Sequence, residues 1–409
     1  MTLGRALELD RRTLLIGGGA AAAALAAGTA QARIKPAEMV PLVGPGYRPT
    51  ERDELGLWKE MDRAEEEISG SNLLVQDPRL TGYLKDLIGT VGGPAAKDFR
   101  IYLARIPVFN AMMFPSGFAV VFSGLLLRMR NEAQLAGVIA HESGHFLRRH
   151  QIRSWRDMKR KSDLFSVGAM LAGVGGAAGG MYLGDYLQLA QLGTLISLFR
   201  YSREMEAEAD AMGAKLIAEA GYQPVEIANV WQQLIGEEEA SARYRRKRRD
   251  RGYDMFATHP ASETRMTDLR LSAAEVTVPG KVYKTGRERY LATIGGFRQT
   301  MLDDQVKLND PGASEYLIRT LAQDGWNGLL RFYEGEVWRL RNQAGDDIRA
   351  AQSYSAAVVY PDAPADAWRW HGIALLKAGR RGEAKAAFTR YLAIKPDAPD
   401  AAWVRQMVG

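Results

Sequence analysis

Cysteine is absent from the 409 residues. That excludes disulfides, thiolate metal ligands and a lipidated cysteine anchor, so any metal must be held by nitrogen and oxygen. Histidine is scarce, at five residues, which gives weight to any two that fall one helical turn apart. Uninterrupted apolar runs are short. Residues 14–28, LLIGGGAAAAALAAG, are too brief and too rich in Gly and Ala for a good membrane span. Between Phe165 and Phe199 the only charge is Asp185, but Gly173, Gly175, Gly176, Gly179 and Gly180 interrupt the stretch. So many glycines weaken a helical span. An apolar hairpin is expected there, either packed near a cleft or dipping into a membrane surface. No sign of charge dominates: 54 basic against 48 acidic residues leave +6, which permits an acidic partner without requiring one. Apolar content of 46% and charged content of 25% are ordinary for a globular chain long enough for two or three domains.

The first 32 residues read as an export signal. Arg11 and Arg12 precede the apolar run, and Ala30-Gln31-Ala32 supplies a small-residue cleavage site. The paired arginines fit a twin-arginine route or the general secretory one. Cleavage near Ala32 would deliver the chain to the periplasm. Residues 33–52, with Pro36, Pro41, Pro45 and Pro49, form an extended lead-in. A first domain is expected over 53–285 and a second over 286–409.

The most informative stretch is 131–150, NEAQLAGVIAHESGHFLRRH. Asn131 can cap a helix, with Gln134 able to reach back. Leu135, Val138, Ile139 and Phe146 recur at helical spacing and give it a core-facing stripe. A helix turns about 100° per residue, so His141 and His145 project from nearly one face, a turn apart. Two imidazoles so placed can share a zinc ion, and Glu142 can reach water beside it as general base. A third protein ligand is still needed. The helix predicted from Ser202 to Gly221 offers carboxylates, of which Glu206 and Asp210 share a face. Glu206 is assigned to the metal and Asp210 to orienting a ligand histidine. Glu204 and Glu208 have the same chemistry and stay open on spacing alone.

Phe99 to Arg105 predicts a strand, and residues 110–114 and 118–122 predict a hairpin around Pro115-Ser116-Gly117, immediately before the zinc helix. Its strand Asn110, Ala111, Met112, Met113 is either an edge for an extended peptide or simply core. Arg243 to Arg251 (RYRRKRRDR) is a solvated loop or a contact for an anionic membrane surface. Nucleic acid is not an expected partner of an exported chain. His259 and Arg265 follow that loop, and both can face the cleft. Beyond residue 310, PDAP recurs at 361–364 and 396–399. Trp368, Gly372, Ala384, Phe388 and Pro396 fit a helix-turn-helix repeat of about 34 residues, with a poorer copy before it. An unrelated helical bundle is the alternative.

Asn110-Ala111 with Gly117, the AHESGH helix, SREMEAEAD, and THP with Arg265 together resemble the zinc metallopeptidase family that includes HtpX and the CAAX prenyl endopeptidases. Within it the likeness is to the periplasmic BepA-like branch, which joins a peptidase to tetratricopeptide repeats. The resemblance covers roughly residues 50–275 and, more loosely, the repeats. It implies a mainly α fold with a small β-sheet, a gluzincin-type peptidase domain and a short tetratricopeptide-like array. It further implies one Zn2+ on His141, His145 and Glu206, support from Asp210, and His259 and Arg265 lining the site, with His259 able to approach the metal and gate activity. Polypeptide substrates such as misfolded envelope proteins, and outer-membrane assembly partners for the repeats, are implied likewise. A rival expectation is an adaptor or chaperone-like binder whose peptidase is latent.

Overall fold

The described residues of the computed structural model, 33–161, 199–244 and 263–408, are mainly helical and carry one three-stranded sheet. After a 3-10 turn at Pro36–Glu38 come α1 (Arg52–Ser69) and α2 (Pro78–Val91). Asp77 starts α2 by accepting from the Arg79 amide at 2.8 Å, with Pro78 preset for the first helical position. The strands are β1 (Arg100–Ala104), β2 (Ala111–Met113) and β3 (Phe118–Phe122). Central β3 runs parallel to β1 and antiparallel to β2. Gly117, at φ 89°, closes the β2–β3 turn by donating to the Phe114 carbonyl at 2.9 Å. Phe114, Phe118, Phe122, Met61, Ile152, Trp155 and Phe199 form a core against one face of the sheet.

The hairpin does not run straight into the HExxH helix. A buried turn of helix, α3 (Ser123–Arg128), intervenes. Its Gly124 lies so close to the Pro107–Val108 backbone that a β-carbon would come within 2.4 Å of it. The buried Arg128 guanidinium donates to Gly124 O at 2.9 Å and to Gln305 at 3.0 Å, and pairs with Glu237 at 2.6 Å. Next comes α4 (Glu132–Leu147), buried along its whole length. Asn131 accepts from the Gln134 amide at 2.9 Å, while the Gln134 side chain reaches one residue past the cap, to the Arg130 amide. Arg149, at φ 57°, turns the chain into α5 (His150–Lys161).

Then follow α6 (Arg203–Glu219), α7 (Glu226–Ala242) and α8 (Glu263–Val276). Ser202 caps α6, and Gly221, at φ 78°, ends it. Glycines set how closely α4 and α6 approach. A β-carbon on Gly213 would lie 3.1 Å from the His141 amide nitrogen, and one on Gly144 would lie 3.1 Å from the Ala209 carbonyl. This near contact aligns the HExxH turn with the first turns of α6.

The next helix, α9 (Arg287–Lys307), is stitched to the first part of the chain. Tyr290 donates to Leu126 O, Arg105 pairs with Asp304 at 2.7 Å, and Arg287 donates to Arg130 O at 2.8 Å. After α10 (Pro311–Leu321) come two helical hairpins, α11 (Gly328–Arg341) with α12 (Asp346–Ala357), and α13 (Ala365–Lys377) with α14 (Arg381–Ile394). α15 (Ala401–Val408) closes the chain. In each hairpin a glycine lies under an aromatic ring, Gly335 under Tyr354 and Gly372 under Phe388. Lys35–Gly409 is one compact unit, and among the described residues no helix is long and apolar enough to cross a membrane. The expected apolar hairpin at 165–199 lies outside the described residues except for Phe199. So does the basic run, apart from Arg243 and Tyr244, which are exposed.

Candidate metal centre

Helical geometry places His141 and His145 on one face of α4, and the glycine contacts bring α6 against that face. His141 Nε2 and His145 Nε2 stand 3.0 Å apart. The Glu206 carboxylate lies 3.6 Å from the first and 3.5 Å from the second. Edges of a tetrahedron with metal bonds near 2.0–2.1 Å measure about 3.3 Å, so the three donors are spaced as ligands of one small dication. All three residues are buried. Of the acids that spacing left open, Glu204 is exposed, and Glu208 faces away from the pair.

The hydrogen bonds behind the ligands fix which nitrogens carry protons. Asp210 Oδ1 lies 2.9 Å from His141 Nδ1. An ionised carboxylate only accepts, so Nδ1 carries the proton and Nε2 offers a lone pair. His145 Nδ1 meets His150 Nδ1 at 2.9 Å, and His150 Nε2 meets Glu208 Oε2 at 2.9 Å. The same logic, run from Glu208, leaves His145 Nε2 as a second lone pair. Two lone pairs 3.0 Å apart, with a carboxylate beside them, form a donor set that suits a cation. Charge points the same way. Glu142, Glu206 and Asp210 are buried around Arg265, so carboxylates outnumber the guanidinium there. The residues present therefore fit a zinc ion.

Electrostatics keep these groups in the states the geometry needs. Burial works against the charge on Asp210, but the Arg265 guanidinium and the His141 hydrogen bond outweigh it and hold its carboxyl well below the usual range. Burial also opposes Glu208, yet hydrogen bonds from His150 and Arg148 bring it down to about 2. His150 is shifted down chiefly by burial, so it is neutral at pH 7. Arg265 places Nε and Nη2 on Asp210 at 2.7 and 2.8 Å and Nη1 on Glu206 at 2.8 Å, with its plane over Trp231. It thus clamps two acids of α6.

Glu142 sits one residue from His141, and its Oε2 accepts the Met113 amide at 3.2 Å. Strand β2 is an edge of the sheet, and its ladder bonds to β3 use Asn110, Met112 and Phe114. The amides and carbonyls of Ala111 and Met113 face the other way. Those of Met113 are taken, the N–H by Glu142 and the carbonyl by Gln151 Nε2 at 3.0 Å. Among the described residues, the outward groups of Ala111 therefore remain as the edge. His259 lies outside the described residues.

Three neighbours of the site, Tyr201, His150 and Gln151, were not among the sequence candidates, and Glu208, left open as a ligand, serves instead behind His145. Tyr201 stacks on His145 at 3.8 Å, its phenol held protonated by burial and by Glu142 and Glu206 nearby. His150 and Glu208 support His145, and Gln151 caps the edge strand. The one signal for His150 was a third histidine within ten residues. Helical periodicity misplaced it, because the left-handed Arg149 breaks the helix just before it.

An HExxH helix completed by a carboxylate from a later helix is the arrangement of a metallopeptidase. Residues 75–273 match the model of peptidase family M48, and this stretch is a peptidase M48 family domain. It is similar to the beta-barrel assembly-enhancing protease of Escherichia coli (strain K12), with 30% identity over 233 residues, 55% of this chain and 45% of that one. The protein of the same name from Yersinia pestis is 28% identical over 365 residues, 82% of this chain and 71% of the other. The mitochondrial metalloendopeptidase OMA1 of Saccharomyces cerevisiae is 30% identical over 167 residues, 39% of this chain and 42% of the other. The chain thus spans about half the length of several relatives it matches.

Proposed function

We propose that this chain is a zinc-dependent endopeptidase of the periplasm, exported by its first 32 residues, that hydrolyses extended or misfolded envelope proteins. The observation that carries the reading is the convergence of His141 Nε2, His145 Nε2 and the Glu206 carboxylate beside Glu142. Zinc held by these three residues would supply a Lewis acid that polarises the scissile carbonyl and brings water to a pKa of about 7. Glu142 takes the proton of the attacking water and hands it to the leaving nitrogen. Its hydrogen bond from the Met113 amide holds the carboxylate next to the strand where substrate lies. An extended peptide pairs with the outward amide and carbonyl of Ala111, and pairing stops at Met113, whose groups Glu142 and Gln151 already hold. Asp210 orients His141. Arg265 positions Glu206 and Asp210, which leaves stabilisation of the developing oxyanion, or gating, to His259 on the family resemblance.

The name of the bacterial relatives supports substrates among proteins of outer-membrane assembly. The repeated glycine-under-aromatic packing of the two C-terminal hairpins supports a tetratricopeptide-like repeat region over 286–409 as the partner-binding part. A second reading, an adaptor whose peptidase is latent, is favoured by a groove of about 560 Å³ in that region, lined by Trp338, Tyr354, Trp370 and His371 among others. Cleavage assays on the wild-type chain and one variant separate the two. Glu142→Gln should keep stoichiometric zinc and lose cleavage of an unfolded protein substrate by a factor of about 10²–10⁴. Undiminished proteolysis would refute Glu142 as base. A wild-type chain that holds zinc, binds envelope proteins and never cleaves them would favour the adaptor.

A further inference from the structure

The two ligand histidines are supported in different ways. His141 has a carboxylate directly behind it, Asp210. Behind His145 Nδ1 stands a second imidazole, His150, with the Glu208 carboxylate beyond it. We propose that His150 and Glu208 are positioning residues for the metal, forming a carboxylate–imidazole–imidazole relay that fixes the proton of His145 on Nδ1 and aims its Nε2 at the zinc. The proposal rests on the zinc reading above.

The direction of the relay follows from its far end. Glu208 Oε2 accepts from Arg148 Nε at 2.9 Å and from Arg153 Nη1 at 3.2 Å. Carrying those cations, it is an ionised acceptor and not a donor. His150 must then donate from Nε2, 2.9 Å away. A neutral imidazole that donates through Nε2 accepts through Nδ1, so the group facing it at 2.9 Å, His145 Nδ1, must be the N–H. His145 Nε2 is left as a lone pair on the side where His141 Nε2 and Glu206 converge. His145 and His150 are fully buried, so water does not compete for these bonds. Tyr201, stacked on the His145 ring, blocks its rotation. The relay is tied to three elements: Glu208 on α6, His150 on α5, and Arg148 at the end of α4. Arg148 also donates to Val40 O at 2.9 Å, which carries the tie into the lead-in segment.

The test measures zinc affinity by competition with a chromophoric chelator on the purified full chain, together with the visible spectrum of the Co2+-substituted protein. His150→Leu removes the acceptor behind His145 and should weaken zinc binding about 10- to 100-fold, the range for loss of such a partner. It should also shift the cobalt bands. His150→Asn puts a carbonyl oxygen near the position of Nδ1 and should restore affinity to within a few-fold. A purely structural role would lower thermal stability equally in both variants and leave the cobalt bands alone. If His150→Leu does not fold, Glu208→Gln serves instead. Its amide can donate to His150, reverse the relay and put the wrong tautomer on His145, so it too should weaken zinc binding. Wild-type zinc affinity and cobalt bands in a folded His150→Leu or Glu208→Gln protein would overturn the relay while leaving the metal site intact. A wild-type chain that takes up no zinc would overturn the metal reading, and the relay with it.

Discussion

The glycine contact between α4 and α6 gives the sharpest structural test of how the site is built. At Gly213 a β-carbon would sit 3.1 Å from the His141 amide nitrogen and 3.2 Å from its Cα. Both are backbone atoms of a helix buried on all sides, so they cannot swing away as a side-chain tip would. Alanine gains about 1 kcal/mol of helix propensity over glycine, which roughly offsets a mild steric penalty, so Gly213→Ala should lose about 0–2 kcal/mol. Valine gains less propensity and adds two methyl groups against the same wall. Gly213→Val should therefore lose about 2–3 kcal/mol and push the helices apart. A separation of even about 0.5 Å exceeds the ±0.2 Å tolerance of a zinc–ligand bond, and Glu206 would withdraw from the two histidines. Zinc affinity should fall about tenfold or more. Gly221→Ala is the control: at φ 78° with nothing within 4 Å, it should cost about 1 kcal/mol and leave zinc binding unchanged. Chemical denaturation and chelator competition on the same samples read both quantities. Native zinc affinity in Gly213→Val would refute the claim that this contact sets the ligand geometry.

Two further outcomes follow from other parts of the chain. Ala111→Pro removes an outward N–H from β2 without touching the metal donors. It should raise KM about 3- to 10-fold, the worth of one hydrogen bond, with kcat less affected, and an unchanged KM would place the substrate elsewhere. Asp346 joins α11 to α12; its carboxyl is held below the ordinary range chiefly by hydrogen bonds from Arg341, with the Gln343 amide assisting. A depressed acid stabilises the fold above its unfolded pKa near 3.8 and loses that contribution as pH falls below it. Asp346→Asn should thus be less stable than wild type at pH 7, with the difference shrinking towards pH 2. A difference independent of pH in urea unfolding would contradict that linkage.

Much of the centre was legible in the sequence because it follows from local geometry. The turn angle of an α-helix puts His141 and His145 together wherever HExxH is helical, and the Asn131 cap with its apolar stripe makes it so. The hairpin around Gly117 was equally local. Glu206 needed more: four acids stand between 204 and 210, and the fold distinguishes them only through the approach of α6 to α4. That approach depends on Gly144 and Gly213, whose importance lies in what is missing from them and shows in no periodicity. Short α3 escaped notice because six residues carry too little pattern to separate a helical turn from a strand end. Glu208 and His150 are 58 residues apart and meet only in the folded chain, so Glu208 stood open only as a metal ligand and nothing local joined His150 to it. The strand at 110–113 was readable as either a peptide edge or core, and the capping of its Met113 groups by Glu142 and Gln151 is a tertiary contact with no local signature.

The central claim is that one dication is gripped by His141, His145 and Glu206. Metal analysis combined with zinc-edge anomalous diffraction on the purified, metal-replete chain tests it most directly. The account predicts one zinc per chain, bonded to Nε2 of both histidines and to the Glu206 carboxylate. Zinc absent from the replete protein, or bound through other atoms, would contradict it.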